Sequence, residues 1–247
     1  MANRIGTFLK KKIIGKNQNL ISLDEPYEVM RRLMEGHSVT GIIDAGASRG
    51  HISKRLLRKF PQAKVYAFEP HPMYRQVLEA YAAQEPRFCP QFAALSDCQG
   101  TAELYITESA GNTSLLKPAP ALSRIDPAGA AVRQTVSVPL ATIDQWRSQN
   151  GSLPIQVMKF DIQGYELAAL KGAAQALRDS VLLIYSEVWL NPVYEGGALL
   201  GDIDAFLRPY GFWLYDIYKP KYSPDGPIQW ANALFVRAER LGLLRRI

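Results

Sequence analysis

The 247 residues suffice for one large α/β domain, and 47% hydrophobic with 21% charged residues marks a globular chain, not a disordered one. The formal net charge of +6 is not gathered into a basic stripe interleaved with a recognition element, so no nucleic-acid partner is indicated. The two cysteines, Cys89 and Cys98, exclude a disulfide framework and a multi-cysteine zinc site.

No run approaches the ~18 apolar residues of a spanning helix, and the basic N-terminus lacks the apolar centre of a secretory signal. The expected location is the reducing cytoplasm. Residues 1–40 read as a helical cap. Ile5, Phe8, Leu9 and Ile13 share one helical face, with Lys10, Lys11, Lys12 and Lys16 mostly on the other. Such a helix suits peripheral contact of residues 1–20 with an anionic membrane, or capping of its own domain or of a homodimer partner. Pro26 opens a second helix through Val29, Met30 and Leu33 to Gly36.

From Gly41 the rhythm becomes alternating. Strands are expected at residues 41–45, 64–69, 87–94, 155–161 and 181–187, and helices at 51–60, 70–83, 166–177 and 202–210. Residues 101–107 and 133–140 read as two extra strands inserted around a polar loop after the third strand. Residues 212–218 and 232–237 close the domain as an antiparallel pair, because no crossover helix fits between them. The fold class is α/β, an open, doubly wound, mostly parallel sheet with helices on both faces and a C-terminal hairpin. The domain is expected over residues 41–239, followed by a basic tail, 240–247, with Arg240, Arg245 and Arg246.

In such a sheet ligands bind beyond the carboxyl ends of the strands. Three readings compete for Asp44-Ala45-Gly46-Ala47-Ser48-Arg49-Gly50. A dinucleotide fingerprint needs a second glycine where Ser48 stands. A G-x-S-x-G nucleophile elbow needs a histidine late in the chain, and the three histidines are His37, His51 and His71. S-adenosylmethionine brings a ribose diol, a zwitterionic tail and a sulfonium cation, with no phosphate. Asp44, Glu69 and Asp161 place acid at three strand ends, where a phosphate would be repelled. Each alone reads more readily as a helix cap or a surface charge than as a site residue; together they favour a site.

The motifs resemble those of the FkbM-family methyltransferases: Ile42 to Gly50, Ala94-Leu95-Ser96-Asp97 with Gly100, and Thr142-Ile143-Asp144. The most specific part is Lys159-Phe160-Asp161-Ile162-Gln163-Gly164-Tyr165-Glu166, followed by Leu170-Lys171-Gly172-Ala173. The resemblance spans residues 41–237. One departure is Ser48-Arg49, where the family's glycine loop commonly carries asparagine and an apolar residue. The resemblance implies a Rossmann-like, seven-stranded fold and methyl transfer from S-adenosylmethionine, usually to hydroxyls of sugars, polyketides or other small metabolites. It implies that Asp44, Gly46, Ala47 and Gly50 hold the methionine end and Glu69 the ribose. Ala94 and Leu95 would border the adenine, and Asp161 would face the ammonium group or the acceptor.

Methyl transfer to a hydroxyl, on a sugar, glycolipid or other small metabolite, needs a base within reach. Asp161 and Glu187 are the candidates for it. Glu166 reads as the start of its helix, and His51 and His71 as ordinary surface histidines. Magnesium on Asp161 and Glu187 is an alternative, although the reading assigns no metal site. Trp189, Tyr194, Tyr222 and Trp230 offer rings either to a saccharide acceptor or to core and subunit contacts. The rival functions are an NAD-type oxidoreductase and a non-catalytic binding module that keeps the fold.

Overall fold

A computed structural model describes residues 25–223 and 226–243. The expected amphipathic helix, its membrane contact through residues 1–20, and residues 244–247 of the tail lie outside them. The strands are β1 (Gly41–Ala45), β2 (Lys64–Phe68), β3 (Phe88–Gln91), β4 (Ala94–Leu95) and β5 (Gly100–Thr107). They continue as β6 (Val132–Ala141), β7 (Val157–Phe160), β8 (Leu183–Trp189), β9 (Phe212–Tyr222) and β10 (Ile228–Arg237). The helices are α1 (Pro26–Leu33), α2 (His51–Lys59), α3 (Arg75–Ala82), α4 (Leu122–Ile125), α5 (Pro127–Ala130), α6 (Ile143–Gln149), α7 (Glu166–Lys171), α8 (Ala174–Asp179) and α9 (Leu200–Leu207).

Seven strands form the main sheet in the order β3-β2-β1-β7-β8-β10-β9. All residues of β1, β7 and β8 are buried, as central parallel strands covered on both faces require. β10 runs antiparallel to both β8 and β9. Strand residues alternate between two cores. Ile42, Val65 and Ala67 pack with α1, α2 and α3, whereas Ile43, Ala45 and Phe68 pack with α6, α7, α8 and α9. The order reverses between β1 and β7, which makes their carboxyl ends the switch point.

The inserted strands do not simply follow β3. Ala94, expected to end the third strand, leaves it and together with Leu95 pairs in parallel with Leu140 and Ala141 of β6. With β5 antiparallel to β6, this builds a separate three-stranded sheet, ordered β4-β6-β5. The single helix expected over residues 166–177 is two, α7 and α8. A Cβ at Gly172 would strike the Ser96 carbonyl, and the Gly172 carbonyl accepts from Asp144 N at 2.9 Å. Asp144 then caps α8, its carboxylate accepting from Gln175 N (2.7 Å) and Ala176 N (2.8 Å). α4, α5 and α6 carried no expectation, and the closing strands are longer than expected. Among the described residues no helix is long and apolar enough to cross a membrane.

Candidate active site

A cavity of about 280 Å³ opens at the carboxyl ends of β1, β2 and β7, closed over by the inserted segment. One wall is the glycine turn after β1. Gly46 sits at φ +74°, and a Cβ there would run into the Asp161 carbonyl, so the two strand ends meet only because position 46 is glycine. The strand register places Asp44 beside Lys159. The Lys159 ammonium lies 3.1 Å from Asp44 Oδ1, an ionic contact in which that oxygen has no aligned hydrogen bond. It also donates to the Ala45 carbonyl at 3.2 Å and the Gly46 carbonyl at 3.1 Å. Ser53 Oγ donates to Asp44 Oδ2 at 2.6 Å. Burial opposes the lysine's charge, yet the Asp44 carboxylate, and then that of Asp161, hold its pKa above the ordinary range. Asp44 is 0% exposed and does not reach the cavity.

The second wall follows β2. Glu69 is 6% exposed and accepts from two backbone amides, Ser48 N at 2.7 Å and His71 N at 2.8 Å. Burial raises its pKa, and the same two amides partly offset the rise. His71 is no surface histidine. It is 7% exposed, lines the cavity and accepts from Met73 N through Nδ1 at 3.3 Å. Burial lowers its pKa, favouring the neutral ring. Phe68, Ala94, Leu95 and Leu104 form an apolar stretch of lining, the last three from the three-stranded sheet.

The third wall is the block after β7. Gln163 adopts φ +59° and Gly164 φ +94°, which turns the chain sharply into α7. Gln163 Nε2 donates to Asp161 Oδ1 at 2.9 Å and to Glu187 Oε2 at 2.7 Å, while its Oε1 accepts from the Tyr194 hydroxyl at 2.9 Å. Ser114 Oγ, from the insertion, donates to the Gln163 carbonyl at 2.7 Å. Asp161 lines the cavity and keeps 42% of its side chain exposed. Burial, then the charges of Asp161 and Glu166, push Glu187 well above the usual carboxylate range. Glu166 is fully buried, accepts from Ile162 N at 2.9 Å and is held by burial at a pKa of about 7.

Of the residues expected at the cofactor, Gly46, Glu69, Ala94, Leu95 and Asp161 line the cavity together. Three others, Asp44, Ala47 and Gly50, and the catalytic candidate Glu187 stand elsewhere, for stated reasons. Asp44 is paired with Lys159; Ala47 packs into the core beside α2; Gly50 is the left-handed residue that starts α2; Glu187 lies on the far side of the Gln163 amide. The aromatic residues mostly belong to the interior. Trp189 packs edge-on against Tyr194 at 5.4 Å and in a tilted stack against Trp230 at 5.3 Å, leaving only Tyr222 of the four, 62% exposed, on the surface. Among the described residues no group of three or more His, Cys, Asp or Glu is placed to hold a metal ion. Sequence reasoning missed His71, Thr113 and Gln163. For His71 a signal existed: Pro70 and Pro72 keep the chain extended directly after a strand end, where a ligand would lie.

Comparison with known proteins gives this geometry a context. The model of the Methyltransferase FkbM domain matches residues 44–214. Methyltransferase sdnD of Sordaria araneosa is 29% identical over 209 residues, covering 74% of this chain and 77% of that protein. 2-O-methyltransferase NoeI of Sinorhizobium fredii (strain NBRC 101917 / NGR234) is 25% identical over 162 residues, covering 63% and 65%. Among solved structures, Methyltransferase FkbM from Methylobacillus flagellatus KT is similar with a TM-score of 0.49 and 15% identity, over 94% of this chain and 60% of that one. The chain belongs to the FkbM methyltransferase family.

Proposed function

We propose that this methyltransferase uses S-adenosylmethionine to methylate a hydroxyl of a sugar, glycolipid or other small metabolite. One observation carries the reading: beside the switch point, at the end of β2, Glu69 lines the cavity while accepting from two backbone amides. A carboxylate only accepts hydrogen bonds, which suits a ribose diol and repels a phosphate. Phe68, Ala94 and Leu95 offer an apolar surface to an adenine ring, and Gly46 lets a ligand approach the backbone closely. When bound, the cofactor supplies a methyl group already activated on a sulfonium.

The chain's own residues then have two tasks, alignment and exclusion of water. The inserted segment supports the second, because Ser114 ties it to the Gln163 carbonyl above the cavity. Asp161 is the carboxylate suited to accept the proton of an attacking hydroxyl. Gln163 fixes its Oδ1, and its side chain is the exposed one of the Asp161–Glu187 pair. Glu187 acts behind Gln163 as a positioning residue. The name of the NoeI relative, a 2-O-methyltransferase, supports a hydroxyl acceptor.

The experiment is incubation with methyl-labelled S-adenosylmethionine and separate panels of free sugars, glycolipids and small alcohols. Label in an alkali-stable ether is the expected product. Tight NADH binding with no uptake of S-adenosylmethionine or S-adenosylhomocysteine would reverse the reading in favour of an oxidoreductase.

A further inference from the structure

We propose that His71 is a cofactor-binding residue, whose Nε2–H donates to a ribose hydroxyl of the nucleoside seated on Glu69. The proposal rests on the reading that the cavity takes S-adenosylmethionine.

The tautomer follows from the cap. Because Nδ1 accepts from Met73 N, the neutral ring carries its proton on Nε2. That Nε2 is buried and has no partner within the protein, on a residue that lines the cavity. An unmet buried donor is costly, so native structures rarely keep one without a use. Among the described residues, the other such orphan on a cavity-lining side chain is Thr113 Oγ1, on the inserted segment.

The chemistry of a diol explains why a donor belongs beside this carboxylate. Glu69 can take the hydrogens of both ribose hydroxyls but offers none in return, leaving the hydroxyl lone pairs without a donor. His71 Nε2–H is such a donor. His71 is joined to Glu69 through its own amide, which fixes the spacing between the accepting and the donating group. Neutral imidazole is also the right form beside a cationic cofactor, since it adds no like charge.

Calorimetric titration with S-adenosylhomocysteine and with its 2′-deoxy and 3′-deoxy analogues tests this. His71→Asn keeps an acceptor for Met73 N but has no group at the Nε2 position. His71→Gln keeps a donor near it. The expected result is about tenfold weaker binding for His71→Asn and binding within about threefold of wild type for His71→Gln, with far-ultraviolet circular dichroism showing both variants folded. The preference for the full ribose over one deoxy analogue should shrink about tenfold in His71→Asn. Wild-type affinity in His71→Asn would overturn the proposal and leave the ring as a cap alone. An equal loss for the ribose and both deoxy ligands would overturn it too, by moving the contact off the ribose. If wild type itself ignores S-adenosylhomocysteine, the cofactor reading fails, and the proposal with it.

Discussion

Two buried acids at neighbouring strand ends, Asp44 and Glu69, have opposite surroundings. Asp44 is the fourth residue of β1, flanked in register by β7, and that neighbour delivers Lys159 onto the same face. Its charge is neutralised inside the protein, and the lysine donates to the Ala45 and Gly46 carbonyls. Glu69 stands one residue beyond β2, past the last strand pair, so no neighbouring strand supplies a cation. Backbone amides stabilise it and leave acceptor capacity toward the cavity. Register with the adjoining strand thus separates an acid answered within the protein from one that keeps acceptor capacity on a cavity wall.

The sharpest way to break the comparison is to remove the answer. Lys159→Met strands a carboxylate that is 0% exposed and should cost about 3–5 kcal/mol of stability, read as a lower denaturant midpoint. Adding Asp44→Asn should recover a large part of that loss. Additive losses would mean that the pair is not coupled.

Glu166 gives the next largest effect, through pH. Its folded pKa of about 7 stands above its ordinary value of 4.5. Below 4.5 both folded and unfolded chains hold the proton; between 4.5 and 7 only the folded chain does. The stability from this group is thus complete below pH 4.5 and lost as pH rises through 7, about 3 kcal/mol in all. Glu166→Gln should be close to wild type at pH 4 and more stable by about 2–3 kcal/mol at pH 8. Parallel stability curves for the two proteins would contradict the assignment. A smaller effect belongs to Asp144, which caps α8 and is not part of the cavity lining. Asp144→Ala should lose about 1–2 kcal/mol of stability with unchanged binding of S-adenosylhomocysteine.

Much of the sheet was legible because its signal is local. Runs such as Gly41–Ala45 and Val157–Phe160 are apolar enough to be central parallel strands, and the closing pair could only be antiparallel. What escaped depends on pairing. Ala94 and Leu95 are too short to show a period, and their move to the second sheet is set by β6. The break between α7 and α8 arises where Gly172 meets the Ser96 carbonyl. The site was half legible for the same reason. Glu69, Gly46 and Asp161 follow from strand ends, whereas the role of Asp44 depends on a lysine distant in sequence. The signature block itself divides: Lys159 and Glu166 are buried in the architecture, while Asp161 and Gln163 line the cavity.

The most direct measurement is calorimetric titration of S-adenosylhomocysteine into wild type and Glu69→Ala. Wild type should bind, and the variant should bind about 10–100-fold more weakly, as expected when hydrogen bonds to a charged group are lost. Equal affinity in the two proteins would contradict the division of roles between Glu69 and Asp44.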